Sequence, residues 1–97
     1  MQAAALEYGT SGVRVNAVLP GTVNTELARR QSGAEALPEA AWDVATGRWA
    51  RTQVPGVQRV AEPEEIAAFA VDVASDRCAS LTGAALPIDG GTSASLP

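Results

Sequence analysis

RVNAVLPGTVNTEL, residues Arg14 to Leu27, decides how the chain is read. An apolar, β-branched run from Val13 to Leu19 stops at Pro20-Gly21 and opens into Thr22, Asn24 and Thr25. Val13, Val15, Ala17 and Leu19 fall on one face of a strand and Val18 on the other, so both faces carry apolar side chains. That pattern suits a parallel sheet covered by helices on both sides. In open α/β sheets, ligands bind beyond the carboxyl ends of the strands. The polar turn after Leu19 is therefore a candidate site.

On the N-terminal side, MQAAALEYG is rich in strong helix formers and reads as the last turns of a helix closed by Gly9 as C-cap. On the other side, ELARRQ and PEAAWDVATGRWA are expected short helices, the second with Pro38 near its first turn. RTQVPGVQRV reads as loop. A stretch this long between core elements, residues 26–60, is expected to serve as a lid or binding loop.

EPEEIAAFAVDVASD is the clearest helix. Pro63 fits its first position, and Glu64 and Glu65 sit where the positive end of the dipole favours carboxylates. Ile66, Phe69, Ala70 and Val73 form one apolar stripe, with Ala67, Val71 and Ala74 beside it. GAALPIDGG reads as a short strand ending in an Asp89-Gly90-Gly91 turn, and Pro87 places that strand at a sheet edge. Strand 13–19, helix 63–75 and strand 84–88 are then expected to form one right-handed βαβ unit.

Composition removes most chemistry. The 97 residues carry a net charge of −4 and are 46% hydrophobic, which suits one soluble domain. No apolar run approaches the roughly 18 residues of a membrane span, and no signal-peptide layout opens the chain, so a cytoplasmic location is expected. There is no His, which excludes Ser-His-Asp and Cys-His constellations. Cys78 stands alone, so no internal disulfide or Cys-rich metal site exists. All seven basic residues are Arg, leaving no Lys for a Schiff base. An acidic balance without an aromatic-basic stripe argues against nucleic acid.

Three blocks, ALEYGTSGVRVNAVLPGTVNTEL, RVAEPEEIAAFAVDVASD and LTGAALPIDGG, resemble the last third of a classical short-chain dehydrogenase/reductase, in matching order and spacing. The resemblance covers essentially the whole chain. It implies the C-terminal part of a doubly wound Rossmann-type parallel α/β sheet: its last two strands, the lid helices and the crossover helix. The implied reaction is hydride transfer between NAD or NADP and an alcohol or carbonyl. The implied cofactor-binding residues are Pro20, Gly21, Val23 and Thr25, with the Val23 backbone and the Thr25 hydroxyl meeting the nicotinamide carboxamide and nearby phosphate. A homo-oligomer through helix 63–75 and strand 84–88 is also implied. The family's catalytic Tyr-x-x-x-Lys pair belongs upstream of residue 1. Tyr8 is followed four residues on by Gly12, and Asn16 and Asn24 do not match the family's catalytic Asn, so no catalytic residue is assigned.

Each site residue also has a plainer reading. Pro20-Gly21 can be a strand-ending turn, and Thr25 can cap the helix that begins at Glu26. Asn16 reads as a structural hydrogen-bonder. Arg29, Arg30, Arg48 and Arg51 either steer an anion or coat the solvated faces of short helices. Trp42 and Trp49, seven apart, share a helix face that either covers a substrate or anchors the lid. Asp72 departs from the family's apolar helix. Two other functions stay open: a non-catalytic module that joins a full-length relative, and a small α/β domain binding an anion at the 20–25 turn.

Overall fold

The computed structural model describes residues 1–96. Helix α1 (Gln2–Gly9) leads into strand β1 (Ala17–Pro20), then come helices α2 (Glu26–Gln31), α3 (Glu39–Gln53) and α4 (Pro63–Ala74), and finally strand β2 (Ala85–Ile88). The strands are parallel, with Ala17 opposite Ala85 and Pro20 opposite Ile88. The order of helix, strand, two intervening helices, helix and strand matches the expectation.

Residues 17 and 21 donate their N–H groups to the carbonyls of Ala84 and Ile88 at 2.9 and 3.2 Å. Alternate residues 17, 19 and 21 therefore face β2, and 84, 86 and 88 face β1. Pro20 and Pro87 fall between them, so each turns its hydrogen-free nitrogen away from the partner strand.

The first strand is shorter at its start than 13–19 and ends one residue later. One backbone bond remains there, from the Gly83 N–H to the Val15 carbonyl at 2.8 Å, and side chains make the other links. The Val15 N–H donates to the Thr82 hydroxyl (3.0 Å), while the Asn16 amide donates to the Leu81 carbonyl (2.9 Å) and accepts from the Ala84 N–H (3.1 Å). Asn16 is thus the structural hydrogen-bonder expected of it. Smaller corrections follow the same logic. Helix α4 ends at Ala74, because Ser75 turns extended as its C-cap, and β2 begins at Ala85 rather than 84. Gly9 is still helical; the left-handed residue is Gly12, at φ 80°. Helix α3 continues past Ala50 to Gln53, with Pro38 as its N-cap.

Arg14 went unremarked in the sequence. Its guanidinium donates to the carbonyls of Val73 (2.9 Å), Ser75 (3.1 Å) and Leu81 (3.0 Å), tying the end of α4 to the segment that feeds β2. A cation suits a helix C-terminus, where unpaired carbonyls concentrate negative charge.

The buried apolar residues are Ala5, Ala34, Trp42, Ala50, Val54 and Val73. Only Val73 of the first α4 stripe is among them; Ile66 and Phe69 are half-buried, and Ala67, Val71 and Ala74 are exposed. No helix among the described residues is long and apolar enough to cross a membrane.

Candidate functional site

Past Pro20 the chain pairs once more, through a parallel bridge of Val23 with Ala61. The Ala61 N–H donates to the Thr22 carbonyl (3.1 Å) and the Asn24 N–H to the Ala61 carbonyl (2.8 Å). In such a bridge the central residue's own peptide groups face the other way. The N–H and C=O of Val23 accordingly have no partner among the described residues.

Thr25 is the N-cap of α2: its backbone is extended and its hydroxyl oxygen accepts from the Ala28 N–H at 3.1 Å. The capping role is therefore present, and the hydroxyl proton is still free to donate. Gly21 has an internal reason to be glycine. A Cβ there would stand 2.8 Å from the Asp89 Cβ and 3.0 Å from its Cα. Asp89 in turn organises the turn after β2, accepting from the Gly91 and Ser93 N–H groups at 3.1 Å each. The Ser93 side chain and these backbone donors hold its carboxyl below the usual range.

Asn24 is the residue that sequence reasoning undervalued. Its carbonyl oxygen accepts from the Trp42 indole N–H at 2.8 Å, and its amide nitrogen lies 3.2 and 3.3 Å from the Glu62 carboxylate oxygens. One side chain therefore joins the strand-end turn, helix α3 and the N-cap of α4. Nothing local signals this, since the partners stand 18 and 38 residues away.

Arg29 fits neither expectation for the lid arginines. It lies over the Trp42 ring, 5.5 Å from the centroid, pairs with Glu39 at 2.9 Å, and donates to the Ala34 and Leu37 carbonyls. Its charge is met by partners between Ala34 and Trp42. At the start of α4, Arg59 and the Glu62 N–H together pull the Glu65 carboxyl down to about 2.

Three cavities border the turn at Thr22, and two of them also reach Trp49. The first, about 600 Å³ and called the lid cavity after the role expected of residues 26–60, lies between α2, α3 and the turn, and includes Thr22, Val23, Trp42 and Trp49 in its wall. A second, about 460 Å³, is bordered by Pro20, Gly21, Thr22, Trp49 and Asp89. The four expected cofactor residues are thus divided: Pro20 and Gly21 on one side, Val23 on the other, and Thr25 in neither wall. Both tryptophans reach the lid cavity, but Trp42 is buried while Trp49 is 45% exposed.

A profile of the family described as enoyl-(acyl carrier protein) reductase matches residues 1–93. The chain belongs to the short-chain dehydrogenase/reductase family. It is 44% identical over 87 residues to D-threitol dehydrogenase of Mycolicibacterium smegmatis, covering 90% of this chain and 29% of that protein. Among solved structures, ligand-free aldohexose dehydrogenase of Thermoplasma acidophilum superposes with a TM-score of 0.81 at 30% identity, over 99% of this chain and 37% of that one. A short-chain oxidoreductase of Pseudomonas aeruginosa, solved with NADPH bound, gives 0.78 at 32% identity, over 93% and 33%. The chain spans about a third of the length of the curated relatives it matches.

Proposed function

We propose that residues 1–97 are the C-terminal portion of an NAD(P)-dependent short-chain dehydrogenase acting on an alcohol or carbonyl, and that they supply its nicotinamide-side turn and substrate lid. The observation that carries this is the unpaired peptide of Val23 at the carboxyl end of β1. An N–H and a C=O offered together match the acceptor and donor of a primary carboxamide, the group by which a nicotinamide ring is oriented. The donor set therefore fits the cofactor.

A bound nicotinamide would accept the hydride from an alcohol or give it to a carbonyl. The Val23 peptide would fix the ring's rotation, Thr25 would donate its free hydroxyl proton to a phosphate oxygen, and lid residues 26–60 would exclude water. Each neutral hydrogen bond is worth about 0.5–1.5 kcal/mol net, so these contacts orient the ring and do not hold the cofactor alone. Proton transfer is left to residues outside 1–97. The same proposal gives the exposed second stripe of α4 and the outer edge of β2 to a second copy.

The test uses the complete protein that carries residues 1–97. It should reduce NAD or NADP with a secondary alcohol, and hydrogen exchange across 26–60 should slow when cofactor and substrate bind. The isolated 97-residue chain should show no turnover. Activity in the isolated chain, or none in the complete protein with any alcohol or carbonyl, overturns the assignment.

A further inference from the structure

The two cavities at the end of β1 meet at two residues, since Thr22 and Trp49 border both. On the reading above, the ring's carboxamide meets the Val23 peptide, and Val23 lies in the wall of the lid cavity. A substrate in that cavity then approaches the ring beside the junction that Thr22 and Trp49 form.

We infer that the lid cavity takes uncharged alcohols or ketones with an apolar, ring-like face, and that Trp49 is the residue that selects them. None of the side chains in the cavity wall is charged. The nearby cation that could have received an anion, Arg29, is committed to Glu39, to two carbonyls and to the Trp42 ring. An anion brought under this lid would lose water and gain no charged partner among the described residues, which is strongly unfavourable.

The polar groups in the wall divide in the same sense. Asn24 holds Trp42 and Glu62, the Ser32 hydroxyl donates back to the Ala28 and Arg29 carbonyls, and the Thr46 hydroxyl donates to the Asp43 carbonyl. Thr22 and Gln31 are left without a side-chain partner among the described residues. A ligand thus meets a hydroxyl and an amide, both neutral, beside aromatic and aliphatic surface.

The two tryptophans are not equivalent. The Trp42 indole N–H is bonded to Asn24 and its ring is 7% exposed, so it is part of the lid's own packing. The Trp49 indole N–H has no acceptor among the described residues, and its surface is 45% exposed where the cavities join. A flat face with a free N–H, placed at that junction, suits stacking on a ring.

The complete dehydrogenase is assayed with 1-phenylethanol, propan-2-ol and a hydroxyalkyl sulfonate. We expect kcat/KM to fall in that order. Trp49→Ala should lower the ratio of 1-phenylethanol to propan-2-ol by roughly tenfold or more, and Trp49→Phe should restore most of it. Titration with acetophenone should quench indole emission in the parent and much less in Trp49→Phe. Thr46→Arg, which places a cation in the wall, should raise use of the sulfonate by roughly tenfold. The inference fails if the parent uses the sulfonate as well as 1-phenylethanol, or if Trp49→Ala lowers both neutral alcohols by one factor. An enzyme that oxidises no alcohol with either cofactor overturns the underlying assignment instead, and this inference with it.

Discussion

Gly21 and Asp89 are in contact at the point where the two strands end: the position of a Gly21 Cβ lies 2.8 Å from the Asp89 Cβ and 3.0 Å from its Cα. The Gly21 N–H also donates to the Ile88 carbonyl at 3.2 Å, so neither backbone can retreat without breaking the last ladder bond. A glycine expected to admit a ligand is demanded first by the protein itself. Gly21→Ala should destabilise by about 1–3 kcal/mol, as overpacking against backbone does. Denaturant unfolding of the complete protein without cofactor checks this. An unchanged midpoint, with a loss confined to cofactor affinity, would restore the ligand as the reason for the glycine.

Asn24→Leu should loosen the lid. It strips the acceptor from the buried Trp42 indole N–H and the donor from Glu62, and an unpaired buried donor costs about 1–3 kcal/mol. Red-shifted indole emission in a Trp49→Phe background, which leaves Trp42 as the one reporter within residues 1–97, would register the change. Unshifted emission would mean that packing alone positions the ring.

Thr25 has two separable duties. Thr25→Val removes the acceptor for the Ala28 N–H and should cost about 0.5–2 kcal/mol of stability. Thr25→Asp keeps a cap acceptor but loses the donor and adds repulsion toward phosphate. Stability should therefore fall mainly in the valine variant and cofactor KM rise in both. A KM unaffected in both variants leaves Thr25 a cap only.

These residues also show what was legible in the sequence. The apolar run before Pro20, the capped and striped α4, and the short edge strand gave the α/β order because period and punctuation are local signals. Strand length was not local: residues 13–16 stay outside the ladder, because the Val15 N–H goes to the Thr82 hydroxyl and the Asn16 side chain takes the Ala84 N–H. Arg14, Arg29 and Asn24 escaped for the same reason, since an exposed-looking polar residue gains its role from partners that folding brings together. The seven-residue spacing of the tryptophans implies a shared face, and both do border one cavity, but spacing says nothing of which indole finds an acceptor.

Acid should weaken the start of α4. Glu65 accepts from the Arg59 guanidinium and from the Glu62 N–H at 2.7 Å, and its carboxyl is lowered to about 2 from an ordinary 4.5. A depressed carboxyl stabilises fully above its unfolded value. That contribution fades as pH falls through 4.5 and is gone once pH passes about 2. Arg59 is raised by the same pair and stays charged throughout, so it adds nothing to the acid window. Both groups are exposed, so the effect should be small and should shrink in salt. Glu65→Gln should flatten the fall in thermal midpoint across that acid window; an equal fall in parent and variant would assign it to other carboxylates.

The isolated chain should not be a stable monomer. Ordering about 100 residues costs on the order of 100–200 kcal/mol of conformational entropy, which only a well-covered core offsets. The described core is six apolar side chains, three of them alanines, while Leu6, Leu19, Leu27, Val57 and Val71 stand 47–83% exposed. The accessible surface is 6687 Å², against about 5200 Å² for a compact monomer of this mass. The radius of gyration is 16.6 Å, where about 12.5 Å is usual for this length. Both excesses describe a chain that is less compact than a monomer of this length. Strand β1 also keeps a free edge, blunted only by Pro20, and unpaired edges recruit other chains. Sedimentation and thermal melting of the purified 97-residue chain should show oligomers, aggregates or no cooperative transition. A monodisperse monomer with a sharp melt would mean that the thin core, with the Arg14 and Asn24 ties, suffices to hold the fold alone.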